Sequence, residues 1–286
     1  MRCLPIAALA AVSTIALTHM AAAADLPRKA PPAPPPPVYS WTGFYVGGNI
    51  GGGWGSRDVS YSANDPFSTA MLTDPTSDPG FVPLPASFDT SGLIGGLHVG
   101  YNWQFNRNWL FGLETDFDWS GMKGSATTIN SLGSGITTNV DEHIRWFGTV
   151  RARFGYLPVD SLLVYVTGGF AYGRVEHTGN YSSNNPGVSL LGFPIGGFNF
   201  VCNGGAVCFA GSSSGIDTGW TAGGGLEYAF WQKWTVRAEY LYVSLGNRSV
   251  TETALNFSAG FTPTSFNANF GRTNFNVARA GLSYRF

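Results

Sequence analysis

Charge is scarce in this chain. Asp, Glu, Lys and Arg supply 12% of its 286 residues, about half of the ~25% usual in soluble domains, which argues against an ordinary solvated exterior. Neither sign dominates: 16 basic residues face 17 acidic ones, so there is no electrostatic footprint for nucleic acid. Past the N-terminal region no run of ~18 uninterrupted apolar residues occurs, and helices therefore cannot be what meets a lipid bilayer. Cysteine numbers three, and metal binding would want more thiolates or histidines close by. What the chain has instead is glycine, at 39 positions, and aromatic residues, at 15%. An apolar exterior without spanning helices leaves a closed barrel, in which every backbone polar group is paired between strands.

The first residues read as a cleaved secretory signal peptide, residues 1–24. Arg2 supplies a positive charge, Leu4 to Leu17 an apolar run too short to span, and Ala21 to Ala24 a small-residue cleavage tract. Cys3 precedes the apolar run and leaves with it, so the mature chain keeps Cys202 and Cys208. Residues 25–40 form a Pro-rich periplasmic linker, Ala30 to Pro37 being almost all proline, with too few amide donors for a sheet. It reads as a clearance segment left by export, with a periplasmic tether as the alternative.

Residues 41–286 form the barrel. Alternating segments recur about eight times, each long enough for the ~9 to 11 residues of a tilted membrane strand: Trp41 to Trp54, Ser91 to Gln104, Trp109 to Trp119, Val140 to Leu157, Ser161 to Val175, Gly215 to Phe230, Lys233 to Leu245 and Arg272 to Phe286. Tight turns at Asn106 to Asn108, Pro158 to Asp160 and Trp231-Gln232 alternate with long stretches rich in Gly, Ser, Asn, Thr and Pro. The expected fold is all-β: an eight-stranded antiparallel up-and-down transmembrane β-barrel with long extracellular loops.

A period of two assigns the faces. Phe111, Leu113, Phe117 and Trp119 oppose Gly112, Glu114, Asp116 and Asp118; Ile144, Trp146, Val150, Ala152 and Phe154 oppose Arg145, Thr149, Arg151 and Arg153. Trp220, Leu226, Tyr228 and Phe230 oppose Gly223, Gly225 and Glu227, and Trp234, Val236 and Tyr240 oppose Thr235, Arg237 and Glu239. Leu282, Tyr284 and Phe286 are set against Arg279 and Arg285. In a barrel the apolar set faces lipid and the charged set the lumen. Glu114, Glu227 and Glu239 with Arg151, Arg153, Arg237 and Arg279 then form a lumen charge network, because charges in a narrow lumen must be paired. It reads as a polar plug that fixes register, with a partner-exchanging gate as the alternative.

Wall glycines such as Gly47, Gly51 and Gly223 to Gly225 make room for bulky neighbours; no helix follows them to receive a phosphate. Cys202 and Cys208 lie close together in a Gly-rich segment of an exported chain and are expected to form a loop disulfide. His98, His143 and His177 stand beside no serine in a recognisable motif, so no catalytic, cofactor or metal residue is nominated and no enzyme is expected.

Ala24-Asp25-Leu26-Pro27 stands ahead of the proline tract, and Trp41-Thr42-Gly43-Phe44-Tyr45-Val46-Gly47-Gly48-Asn49, Gly100-Tyr101-Asn102-Trp103-Gln104, Thr149-Val150-Arg151-Ala152-Arg153 and Ala238-Glu239-Tyr240-Leu241-Tyr242 lie on expected strands, with Gly281 to Phe286 at the C-terminal end. Over nearly all strands the sequence resembles the outer membrane immunogenic proteins, opacity-like porin-family barrels of Gram-negative bacteria. The resemblance implies an eight-stranded barrel in the cell outer membrane, inserted by the barrel assembly machinery through a C-terminal aromatic signal, here Tyr284 and Phe286. It also implies surface-exposed loops and ties to envelope integrity or host contact. Expected partners are outer membrane lipid and lipopolysaccharide, the assembly machinery, and host or surface ligands at the long stretches Ser56 to Thr90 and Thr178 to Ser214. A structural and surface-display role leads; a small-solute channel and a lipid-modifying enzyme are the alternatives.

Overall fold

The computed structural model describes residues 39–73, 82–130, 135–183, 189–191 and 195–286. The leader and the proline tract lie outside the described residues. Fourteen strands and one helix follow in order: β1 Gly43–Ala63, α1 Pro66–Thr73, β2 Ala86–Gln104, β3 Trp109–Asn130, β4 Ile136–Val159, β5 Leu162–Ser183, β6 Ser189–Leu191, β7 Phe198–Asn199, β8 Val201–Asn203, β9 Val207–Trp231, β10 Trp234–Leu245, β11 Arg248–Ala254, β12 Thr262–Pro263, β13 Ser265–Phe270 and β14 Asn274–Arg285.

Antiparallel pairing runs β1–β2–β3–β4–β5–β9–β10–β14 and returns to β1, where Tyr45 faces Arg285 and Trp54 faces Asn276. The sheet is thus a closed ring of eight strands with no free edge, the condition for crossing a bilayer in β form. Phe44, Leu97, Leu113, Val150, Phe170 and Leu226 stand exposed on its outside.

The strands run far beyond a membrane's thickness. At ~3.3 Å per residue and ~45° tilt, the 24 residues of β4 rise about 55 Å, roughly twice the ~25 Å apolar band of such barrels. The stretches expected as loops therefore begin and end as wall. β1 continues to Ala63 and β5 to Ser183, while β2 begins at Ala86 and β9 at Val207. Above the lipid the ring stays closed because β11 and β13 take over from β10 and β14: Val59 pairs with Phe270, and Ala254 with Phe209. The facing rule inverts at the same height. Beyond Trp54, Val59 points inward while Asp58, Ser60 and Ser62 face solvent. Water now lies outside, so polar residues take the outer face and apolar ones the inner.

One facing assignment is corrected. Between Ile144 and Trp146 the β4–β5 register slips by one residue, and a slip at Trp119 to Met122 accompanies it on β3. This β-bulge turns Arg145 outward and Ile144 fully inward, the reverse of simple alternation.

Candidate functional site

The barrel interior is a stack of side-chain layers, alternately charged and apolar. At the periplasmic mouth Tyr39 and Trp41 turn in under the ring and pack with Leu110, Leu157 and Leu163. The Trp41 indole N–H donates to the Asp160 carbonyl at 2.9 Å. Arg285 lies over both aromatic rings and donates to the Ser40 carbonyl.

Directly above lies the charge network, at the height of the lipid. Glu114 is its hub, receiving Arg151 at 2.5 Å, Arg237 at 2.6 Å, Arg153 at 3.2 Å and the Tyr45 hydroxyl at 2.7 Å. Arg153 reaches across to Glu227 at 2.7 Å and stacks on the Tyr165 ring at 3.9 Å. Arg151 also holds Asp116 and Glu239, and Arg279 holds Asp116, Asp118 and Glu239 at 2.5 to 2.6 Å. All seven residues expected in the lumen meet here. Asp116 and Asp118, which the period of two places on the same face, complete the network. The barrel wall makes room with glycine: a side chain at Gly51 would collide with Arg279, and one at Gly47 with His98. His98 faces Ser283 at 2.8 Å.

Next comes an apolar collar that sequence reasoning missed. Ile94, Met122, Ile144, Phe147, Val175, Leu241, Val243, Leu245, Phe275 and Val277 close over the charges, with Phe147 and Phe275 edge to face at 5.3 Å across the lumen. A phase signal existed. Leu241, Val243 and Leu245 continue the inward spacing set by Arg237 and Glu239, and Val277 and Phe275 do the same from Arg279.

The upper barrel repeats the pattern. The Arg57 Nε–H is shared between the two Glu142 carboxylate oxygens at 2.8 and 2.9 Å, and Arg248 pairs with Asp217. His177 lies 3.5 Å from Glu142, but burial, with Arg57 and Arg248, pushes its ring down to about 4, so the ring is neutral and the contact is not an ion pair. A second collar of Val59, Phe88, Val140, Val250 and Phe270 follows. Glu252 sits above it, buried, with no hydrogen-bond partner on either oxygen among the described residues, and burial pushes its carboxyl up to about 7. The outermost layer packs Phe67 and Met71 of α1 on Phe200, Phe209 and Phe266, beside the Cys202–Cys208 disulfide, whose Cα atoms are 5.1 Å apart. Asp65 anchors this lid: it caps α1 at the Ser68 N–H and accepts from Thr264 and Ser265.

The remaining expected positions are separate from this stack. Tyr284 and Phe286 face outward at the closing seam, their rings 5.4 Å apart, and the Phe286 N–H donates to the Phe44 carbonyl. Asp141 and His143 point outward while Glu142 points in, so these three neighbours share no face.

A closed ring with an apolar outside, a paired charged inside and short turns at one end is shared with a known domain. The family model for the outer membrane protein beta-barrel domain matches residues 7–286. The chain belongs to that outer membrane β-barrel family. It is 32% identical over 257 residues to the 31 kDa outer-membrane immunogenic protein of Brucella melitensis, covering 90% of this chain and 88% of the relative. With the 22 kDa outer membrane protein of Rhizobium leguminosarum the identity is 26%, over 82% of this chain and 78% of that one. Among solved structures, the outer membrane protein OprG from Pseudomonas aeruginosa aligns over 86% of this chain and 97% of its own, at a TM-score of 0.39 and 9% identity. As a member of this family of outer-membrane proteins, the barrel resides in the outer membrane, and a surface or structural role fits that place.

Proposed function

We propose that this outer membrane barrel anchors and displays its outer end and does not transport, because its own side chains seal the lumen. The observation that carries this reading is the apolar collar from Ile94 to Phe275 lying directly over the buried ion-pair network. A solute path would need an aqueous, polar lining; here fully buried guanidinium groups are paired with carboxylates, and the layer above them is apolar. The display surface is the rigid outer barrel with its α1 lid and disulfide, a better-ordered platform for a host or environmental ligand than free loops. The proposed partners are outer membrane lipid, the barrel assembly machinery and surface ligands. Catalysis has no support in the interior: the carboxylates of the membrane-level network are held by arginines, and the three described histidines lie in three separate places.

Reconstitution into planar bilayers tests the seal. Wild type should show no steady conductance, and neither should Glu114→Gln or Arg151→Met, since the collar is untouched. A steady wild-type conductance that falls when either residue is neutralised would make the lumen a channel and sink the reading.

A further inference from the structure

The outer surface of the barrel is not electrically uniform where it leaves the lipid. Lys123 on β3, Arg145 on β4 and Arg174 on β5 are all exposed and lie on three consecutive strands. Lys123 is paired in register with His143, His143 with Glu176, and Trp146 with Arg174, which brings the cations onto one patch. The β4 bulge is what puts Arg145 there; in plain alternation it would point into the lumen. Glu176 receives Arg145 at 2.7 Å and Arg174 at 3.5 Å, orienting both forks side by side, and Arg174 also donates to Ser214 at 3.1 Å. Asp141, next to Thr178, lies above the patch. The other exterior acids near this height, Asp58 and Asp89, belong to β1 and β2.

Immediately below the cations the same three strands carry an aromatic shelf. Phe117, Trp146 and Tyr172 stand ring against ring, at 5.3 and 6.1 Å, facing lipid. An apolar shelf capped by cations at the membrane–water boundary matches a molecule with acyl chains below and phosphate above. Arginine forks suit phosphate oxygens in particular, because two parallel N–H groups meet two oxygens.

We propose that Lys123, Arg145 and Arg174, above the Phe117–Trp146–Tyr172 shelf, form a binding site for the phosphate groups of an outer-leaflet glycolipid. The site lies on the lipid-facing wall and does not depend on whether the lumen conducts.

The test uses the full folded barrel in neutral detergent and native mass spectrometry with three probes: bis-phosphorylated lipid A, the same lipid A lacking both phosphates, and inorganic phosphate. Cations at a charged membrane surface contribute about fivefold each. Since two of these share Glu176, K123A/R145A/R174A should bind bis-phosphorylated lipid A at least about tenfold more weakly than wild type. Lipid A without phosphates should bind wild type as weakly as it binds the variant, and R272A, another exterior arginine, should bind like wild type. Unboiled gel migration verifies folding of the triple variant; if it fails, R174A alone should still lose about fivefold. Equal binding by wild type and the variants, equal binding of the dephosphorylated lipid, or an equal loss in R272A overturns the proposal. So does displacement of the lipid by equimolar inorganic phosphate, which would make this a free-anion site.

Discussion

Arg237 offers the sharpest test of the lumen network, because Glu114 is its one ion-pair partner among the described residues. Its Nη1 lies 2.6 Å from the Glu114 carboxylate, while Nε and Nη2 have no hydrogen-bond partner among the described residues. Arg151 and Arg153 would still hold Asp116, Glu239 and Glu227 if Glu114 were neutralised, but Arg237 would be left buried without its direct ion-pair partner. Glu114→Gln should therefore lower barrel stability by about 3–5 kcal/mol, the usual loss when one partner of a buried pair is removed. Adding Arg237→Met removes the stranded charge and fills its volume with an apolar chain. The double variant should then recover most of the loss, with a coupling energy of at least ~2 kcal/mol. Reversible urea unfolding from lipid vesicles, followed by tryptophan fluorescence, measures all four corners of the cycle. A single-variant loss below ~1 kcal/mol, or strictly additive variants, would refute the idea that buried pairing holds this register.

Three other outcomes are expected. Glu252 has a folded pKa of about 7, raised by burial above the ordinary carboxyl value of 4.5; its stabilising effect is complete below the lower value and is lost as pH rises through the higher one. Because His177 titrates in the opposite sense, the difference between wild type and Glu252→Gln isolates it: by hydrogen exchange at β11 and β13, that difference should move by about 3 kcal/mol between pH 4 and pH 8, and a flat difference would contradict the buried, unpaired carboxyl. Reducing Cys202–Cys208, which closes a loop of sequence separation 6, should weaken the outer lid locally by about 2 kcal/mol, seen as faster proteolysis near β8, while the barrel's heat-modifiable migration stays unchanged. Deleting Phe286 should reduce assembly in cells yet leave refolding into detergent nearly intact, since its side chain is exposed; loss of both would mean a structural role instead.

The membrane-level barrel was legible in the sequence because lipid imposes a strong pattern. Trp234, Val236 and Tyr240 against Arg237 and Glu239 can be read in one pass, and the facing of most strands follows from it. The outer barrel was not legible as strand. There Asp58, Ser60 and Ser62 alternate with Val59 and Tyr61 in a tract rich in small polar residues, which mimics loop composition once the search is for apolar residues facing out. The collar escaped for a related reason: at Tyr240 to Leu245 both faces are largely apolar, so polarity no longer separates inside from outside. Arg145 could not be placed by counting at all. Its direction depends on a register slip set jointly by β3, β4 and β5, a property of the pairing and not of any one strand.

The seal itself can be probed at Ala171, fully buried in the collar and small enough to replace without disturbing it. In proteoliposomes carrying Ala171→Cys, a charged thiol reagent added from either side should leave the new thiol unmodified, while the same reagent labels Ser62→Cys on the exposed outer face. Labelling of Ala171→Cys at a rate near that of the Ser62→Cys control would show a water path through the collar and contradict the account.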